Sequence, residues 1–209
     1  MTPSTVTVAA IVLGVIALLL IAALLAVLAM YNRFARQRNL IEESWRQVDV
    51  ELARRHDLIP NLVETVRGYA AHERAVFERV AAARTAAAAH CTDSPGVRQG
   101  FEESLGRAVT TVLALAESYP PLSANTGFLS LERELTLTED RIAAARRFYN
   151  GNVRDYNTRV DTIPSSIVAS LSGFRHASYF ELTDPVARRV PDVDLFDVGR
   201  PLPPGPTAG

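Results

Sequence analysis

No lysine occurs anywhere in the 209 residues, so all 22 basic side chains are arginine, and 23 acidic residues leave a net charge of −1. A near-neutral chain creates no field to collect polyanions, and nucleic acid is excluded as an expected partner. Cysteine is almost absent as well. Cys91 stands alone, which rules out an internal disulfide framework and any cysteine zinc cluster. Charge itself is missing from residues 1–32. Within that stretch, VAAIVLGVIALLLIAALLAVLAM at 8–30 spans about 34 Å as a helix, enough to cross a bilayer. MTPSTVT supplies no basic n-region, so a retained anchor is expected in place of a cleaved signal peptide.

Arg33, Arg36 and Arg38 follow the span before any acidic residue, while the preceding flank carries no charged side chain. The positive-inside rule then places the N-terminus outside and the rest in the cytoplasm, at the cell membrane. Three regions are expected: a transmembrane anchor at 1–31, a helical domain at 32–182, and a disordered tail at 183–209. The tail is inferred from five prolines and little apolar content after residue 188.

Strand periodicity is lacking, and helical periodicity fills the middle of the chain. Ile41, Trp45, Val48 and Leu52 form an apolar stripe at spacings of 4, 3 and 4. Similar stripes recur in Leu62, Val66, Tyr69, Val76 and Val80, in Phe101, Leu105, Val112 and Leu115, and in Phe128, Leu135, Ile142, Tyr149 and Tyr156. HCTDSPGV, YPPLSANTG and DTIPSS separate them with turn chemistry. The fold class is therefore all-α, a single N-terminal transmembrane helix followed by an antiparallel up-down four-helix bundle.

RRHDLIPNLV at 54–63 poses the one topological choice. Arg54, Arg55, His56 and Asp57 fill a whole turn with polar side chains, and Pro60 suits the first turn of a new helix. A reversal at 58–60 gives segments 33–57, 60–88, 97–118 and 125–161, three of them well matched in length. Against it, the phase Trp45, Leu52, Ile59, Val66 continues across the proline, as in a merely kinked helix. The lengths favour the reversal.

WRQVDVELARRHDLIPNLVETVRGYAAHE at 45–73 and ALAESYPPLSANTGFLSLERELTLTEDRIAAARRFYNGNVRDYNTRVDTIPS at 114–165 follow the single apolar span. In these segments the chain resembles the LemA family of bacterial membrane proteins, with LIPNLVETV, ARRFYN and VRDYNTR the most specific strings. The resemblance covers roughly residues 31–180. It implies a membrane-anchored four-helix bundle with no established enzymatic activity and no catalytic residues to carry over.

The residues supply no chemistry of their own. No histidine has a glutamate three residues before it, so the paired Glu-x-x-His pattern of di-iron bundles is missing. His72-Glu73 lacks a second histidine at the zincin spacing, and no P-loop, G-x-S-x-G or G-x-G-x-x-G string occurs. No catalytic residue, metal site or cofactor is expected. Arg146, Arg147, Asn150, Arg154 and Asn157 line the last long helix beside Phe148 and Tyr149. They either lock bundle register or form a partner-docking face. Residues 165–182 either cap the bundle or lie at the bilayer, with Phe174 and Tyr179 joining Arg33, Arg36 and Arg38 at the membrane interface.

The function expected is a non-enzymatic interaction or scaffold module on a single-pass anchor. The alternative is a membrane enzyme or proteolysis regulator whose active site forms only with a partner. Expected partners are the lipid bilayer and unidentified membrane or cytoplasmic proteins, with a homo-oligomer left open.

Overall fold

In the computed structural model, which describes residues 3–181, the first helix does not stop at Pro60. Helix α1 (Pro3–Arg67) runs unbroken for 65 residues, roughly 100 Å at the usual rise. The expected reversal at 58–60 is thus overturned. The polar turn is not a collar exposed all round: Arg55 points inward and is fully buried, while Ile59 beside it is 1% exposed. Pro60 lies on the outer face. A helical proline leaves the carbonyl four residues earlier without its N–H partner. Here that carbonyl belongs to His56, and Arg84 Nε donates to it from the neighbouring helix at 3.1 Å.

Val8, Leu13, Leu18, Leu24 and the other large apolar side chains of the first half of α1 stand exposed. Its most apolar 18-residue window has a mean hydropathy of 3.3, and none of that window is buried. Helix α1 is the one helix among the described residues long and apolar enough to cross a membrane. The second half carries a core stripe of Phe34, Ile41, Val48, Leu52, Ile59, Leu62 and Val66, all buried. Each such side chain withdrawn from water contributes about 1.5–3 kcal/mol before entropy is counted.

Reversal comes after Arg67, where Gly68 and Ala70 donate back to Glu64 and Val66 and close the turn. Helix α2 (Arg74–Ala89) runs back beside α1, and α3 (Pro95–Glu117) pairs with α2. A single turn, α4 (Pro120–Ser123), leads into α5 (Thr126–Asp161). Asn125 caps α5 by accepting from the Phe128 N–H at 3.1 Å, and its amide donates to the Tyr69 hydroxyl at 3.0 Å. Gly127 makes room for that cap, since a Cβ there would stand 3.1 Å from the Asn125 side-chain oxygen. Helix α6 (Ser165–Ser172) ends at Gly173, whose φ of 73° is the left-handed conformation a helix stop requires.

The principal packing is α1 against α5. Phe34 meets Tyr156, Trp45 meets Tyr149 and Arg55 meets Glu139, so the two helices run antiparallel. Two apolar clusters result. The one near the apolar half of α1 gathers Phe34, Ile41, Val48, Leu52, Ile142, Tyr149, Tyr156 and Phe180. The distant one gathers Ile59, Leu62, Val66, Phe77, Leu105, Val112, Phe128 and Leu135. The described residues form six helices and no strand. The border at 31–32 between anchor and domain falls inside α1, and the tail expected at 183–209 lies outside the described residues.

A continuous α1 fixes a distance. Spin labels at Gln47→Cys and Arg67→Cys, in a Cys91→Ser background, should lie about 30 Å apart from the helical rise over the intervening residues. A markedly shorter distance would restore the reversal.

Candidate functional site

Between the two apolar clusters lies a layer of ionic side chains. Arg55 occupies a core position of α1, in phase with Leu52 and Ile59, and Arg98 and Glu102 occupy core positions of α3, in phase with Leu105 and Val109. All three are at most 3% exposed. Arg55 Nη2 donates to the Glu102 carboxylate at 2.5 Å and to the Glu102 carbonyl at 3.2 Å, and Nη1 donates to Glu139 of α5 at 2.9 Å. Glu102 also accepts from Arg98 Nε at 3.4 Å and meets His56 Nε2 at 3.2 Å. Arg98 extends to Asp49 and to the Cys91 carbonyl, and its guanidinium lies 5.7 Å from the Trp45 ring centroid. One carboxylate thereby joins α1, α3 and, through Arg55, α5.

Burial by itself would push the Glu102 carboxyl up. The His56 hydrogen bond and the Arg55 guanidinium outweigh it and hold the pKa at about 2. Such a group is ionised at neutral pH and is a poor proton acceptor there, far from the value that suits a general base. Among the described residues, no group of three or more His, Cys, Asp or Glu could hold a metal ion.

A second constellation joins α5 to the extended segment 174–181. Asn157 donates to the Ala177 carbonyl at 3.0 Å and accepts from the Ala177 N–H at 2.9 Å. Asn150 does the same for Phe180, at 2.9 and 3.0 Å. Each amide serves one backbone residue as a strand partner would. The spacings match: seven helical residues rise about 10.5 Å and three extended ones about 10 Å. Burial pushes the Tyr149 phenol up to about 12, and its hydroxyl donates to the Ser178 carbonyl at 2.7 Å. Phe180, fully buried, closes the segment onto Trp45 with ring centroids 5.2 Å apart.

The candidate docking residues therefore divide. Asn150 and Asn157 clip the 174–181 segment, and Arg146 is half-buried. Arg147 and Arg154 are exposed, with Phe148 half-exposed beside them at 51%. Phe148 borders an open groove of about 690 Å³ between α1 and α5 that Val50, Ala144, Arg46 and Arg141 also line. Of the candidate membrane-interface residues, Arg33, Arg36 and Arg38 are exposed just past the apolar half of α1, with Arg38 3.8 Å from Glu42. Phe174 is half-buried, stacked on Phe34 at 4.8 Å and tilted against Tyr31 at 5.5 Å, while Tyr179 is 38% exposed.

Comparison with known proteins identifies the family. The profile of the LemA family matches residues 44–195, which takes in the ionic layer and both asparagines. The chain belongs to the LemA family. Two curated relatives, magnetosome proteins MamQ 1 and MamQ 2 of Paramagnetospirillum magneticum, are each 27% identical over 198 residues, 81% of this chain and 71% of theirs. Magnetosome protein MamQ of Magnetospirillum gryphiswaldense is 24% identical over 196 residues, 80% of this chain and 71% of its own. The LemA resemblance read from LIPNLVETV and ARRFYN is thereby shown.

The ionic layer was missed by sequence reasoning. Its signal was present: Val48, Leu52, Arg55, Ile59, Leu62 and Arg98, Glu102, Leu105, Val109, Val112 each hold one alternating 4-3 phase, with charges at core positions.

Two outcomes follow. The folded-state pKa of Glu102 lies below the ordinary glutamate value of 4.5, so its contribution is complete above about pH 4.5 and is lost as pH falls towards 2. Unfolding free energies measured across that window should fall more steeply for the native chain than for Glu102→Gln. At neutral pH the variant should be less stable by about 3–5 kcal/mol, because the buried Arg55 guanidinium loses its buried counter-charge and keeps only the exposed Glu139. Asn157→Ala removes both bonds to Ala177 and should cost about 1–3 kcal/mol, with a change in the emission of Trp45 as Phe180 loosens. Unchanged melting and emission would show that the clip is not a structural element.

Proposed function

We propose that the chain is a single-pass membrane protein whose helical domain works as a non-enzymatic interaction or scaffold module. In this reading the N-terminus lies outside and the domain stands at the cytoplasmic face, its four long helices acting as an up-down bundle. The observation that carries it is the continuity of α1, which passes from an exposed apolar half straight into the core of the domain. A helix unbroken at residues 31–32 transmits the orientation of the span to the whole body, as positioning a scaffold requires. Arg33, Arg36 and Arg38 after the apolar half support the cytoplasmic orientation. The MamQ relatives carry the name of the structure they belong to and not of a reaction, which favours a component of an assembly over an enzyme.

The docking face in this reading narrows to Arg147 and Arg154 on the outer side of α5 and Phe148 at the lip of the α1–α5 groove, since Asn150 and Asn157 are bonded to the 174–181 segment. Arg147 and Arg154, about two turns apart on one side of α5, suit carboxylates on a protein partner, and Phe148, roughly a quarter turn around the helix, suits an apolar side chain next to them.

Proximity labelling from the intact protein in its own membrane identifies that partner. Replacing Arg147, Phe148 and Arg154 together by alanine should shift the melting temperature little, since these side chains are exposed, and should abolish the labelling. A variant that melts normally and keeps every labelled neighbour would refute this docking face.

A further inference from the structure

Ile163, Ile167 and Leu171 are 78%, 58% and 84% exposed, although each is large and apolar. Ile167 and Leu171 lie four residues apart on one side of α6 and Ile163 stands in the corner before it, while Val168 and Ala169 are buried against the domain. Such a row is not needed for packing within this chain. Its position says what covers it. Because Phe34 meets Tyr156 and Trp45 meets Tyr149 in the antiparallel pair, α5 ends level with about residue 30 of α1 at equal helical rise. That is where the uncharged half of α1 ends. Phe174, just past α6, rests on both Tyr31 and Phe34, which ties the corner to the same level.

We propose that α6 and the preceding corner form an interfacial foot, with Ile163, Ile167 and Leu171 seated in the outer part of the bilayer that α1 crosses. This rests on the reading of α1 as a membrane span. A helix lying in the interface inserts its apolar side roughly 5–10 Å into the boundary between headgroups and acyl chains. The surroundings fit that depth. Arg33, Arg36 and Arg175 are exposed at this level and suit lipid phosphates, and Tyr31 supplies an aromatic ring of the kind found at interfaces. Asp161, the acidic group at the corner, is held by His176 Nε2 at 2.9 Å. With one attachment through α1 and a second through α6, the domain is restrained from rotating about the α1 axis.

The test uses the full chain, one copy per phospholipid nanodisc, with an environment-sensitive fluorophore on single cysteines in a Cys91→Ser background. Leu171→Cys and Ile167→Cys report the foot, Leu137→Cys reports the side of the domain, and Leu19→Cys reports the span. Emission from 171 and 167 should shift to the blue and be lost to nitroxide lipids labelled near the headgroup, with 137 unaffected and 19 quenched only by deeply labelled lipids. If 171 and 167 are as wet as 137 while 19 is quenched, the foot is overturned and the anchor stands. If 19 is not quenched, the anchor reading fails and the foot with it. If 171 becomes dry only in discs holding two copies, a second chain covers the row and the bilayer assignment is overturned.

Discussion

Everything in the domain is organised around one buried carboxylate. Glu102 sits where a leucine would complete the core of α3, and withdrawing its charge from water is tolerable only because Arg55, Arg98 and His56 converge on it. A hydrophobic residue there would be indifferent to a shift of α1 along α3 by a turn. An ion pair with this burial is not, since any slip strands a charge. The layer therefore sets the register of α1 against α3, and Glu139 on the second guanidinium nitrogen of Arg55 extends that register to α5. The apolar clusters on either side supply area without specifying alignment.

A contact beside this layer explains how a proline can sit inside a 65-residue helix. Pro60 deprives the His56 carbonyl of its donor, in the turn whose next inward side chain towards the N-terminus is Arg55. Arg84 reaches across from α2 and supplies the missing bond. The helical form survives there because a neighbour 28 residues away in sequence completes it. Nothing in the local string RRHDLIP announces that arginine. Read locally, a fully polar turn followed by proline has the chemistry of a helix end. The long-range information that could have decided otherwise was the unbroken phase of Trp45, Leu52, Ile59 and Val66, which the structure obeys.

Helical class, the apolar first half of α1 and the turns at HCTDSPGV and DTIPSS were legible because each depends on composition and spacing within one segment. Roles that depend on a partner far along the chain were not. Asn150 and Asn157 carry a seven-residue spacing that marks one helix face, yet whether that face meets solvent, a helix or an extended strand is decided by where 174–181 returns. A periodic pair of amides at two-turn spacing is the pattern an antiparallel extended segment can match with every third residue, and such a pair deserves that reading whenever a glycine-stopped short helix follows it. Gly173 is that stop here.

These devices act in series along one axis. Tyr31, Phe34, Tyr156 and Phe174 pack where the domain begins, Trp45, Tyr149 and Phe180 pack at the clip, and Arg55 follows about three turns further on. Each uses α1 as one wall and α5, or a segment fastened to α5, as the other. Bending α1 within this region would have to break aromatic, hydrogen-bonded and ionic contacts together, whereas sliding α5 alone would break the ion pair first. The domain is therefore stiffest along the line that joins the apolar half of α1 to the far cluster, where α1 and α5 make the most extensive pairing among the described residues. A body built this way holds a fixed posture at its α1–α5 wall, and the Glu102 layer fastens α3, with α2 packed on it, to that wall.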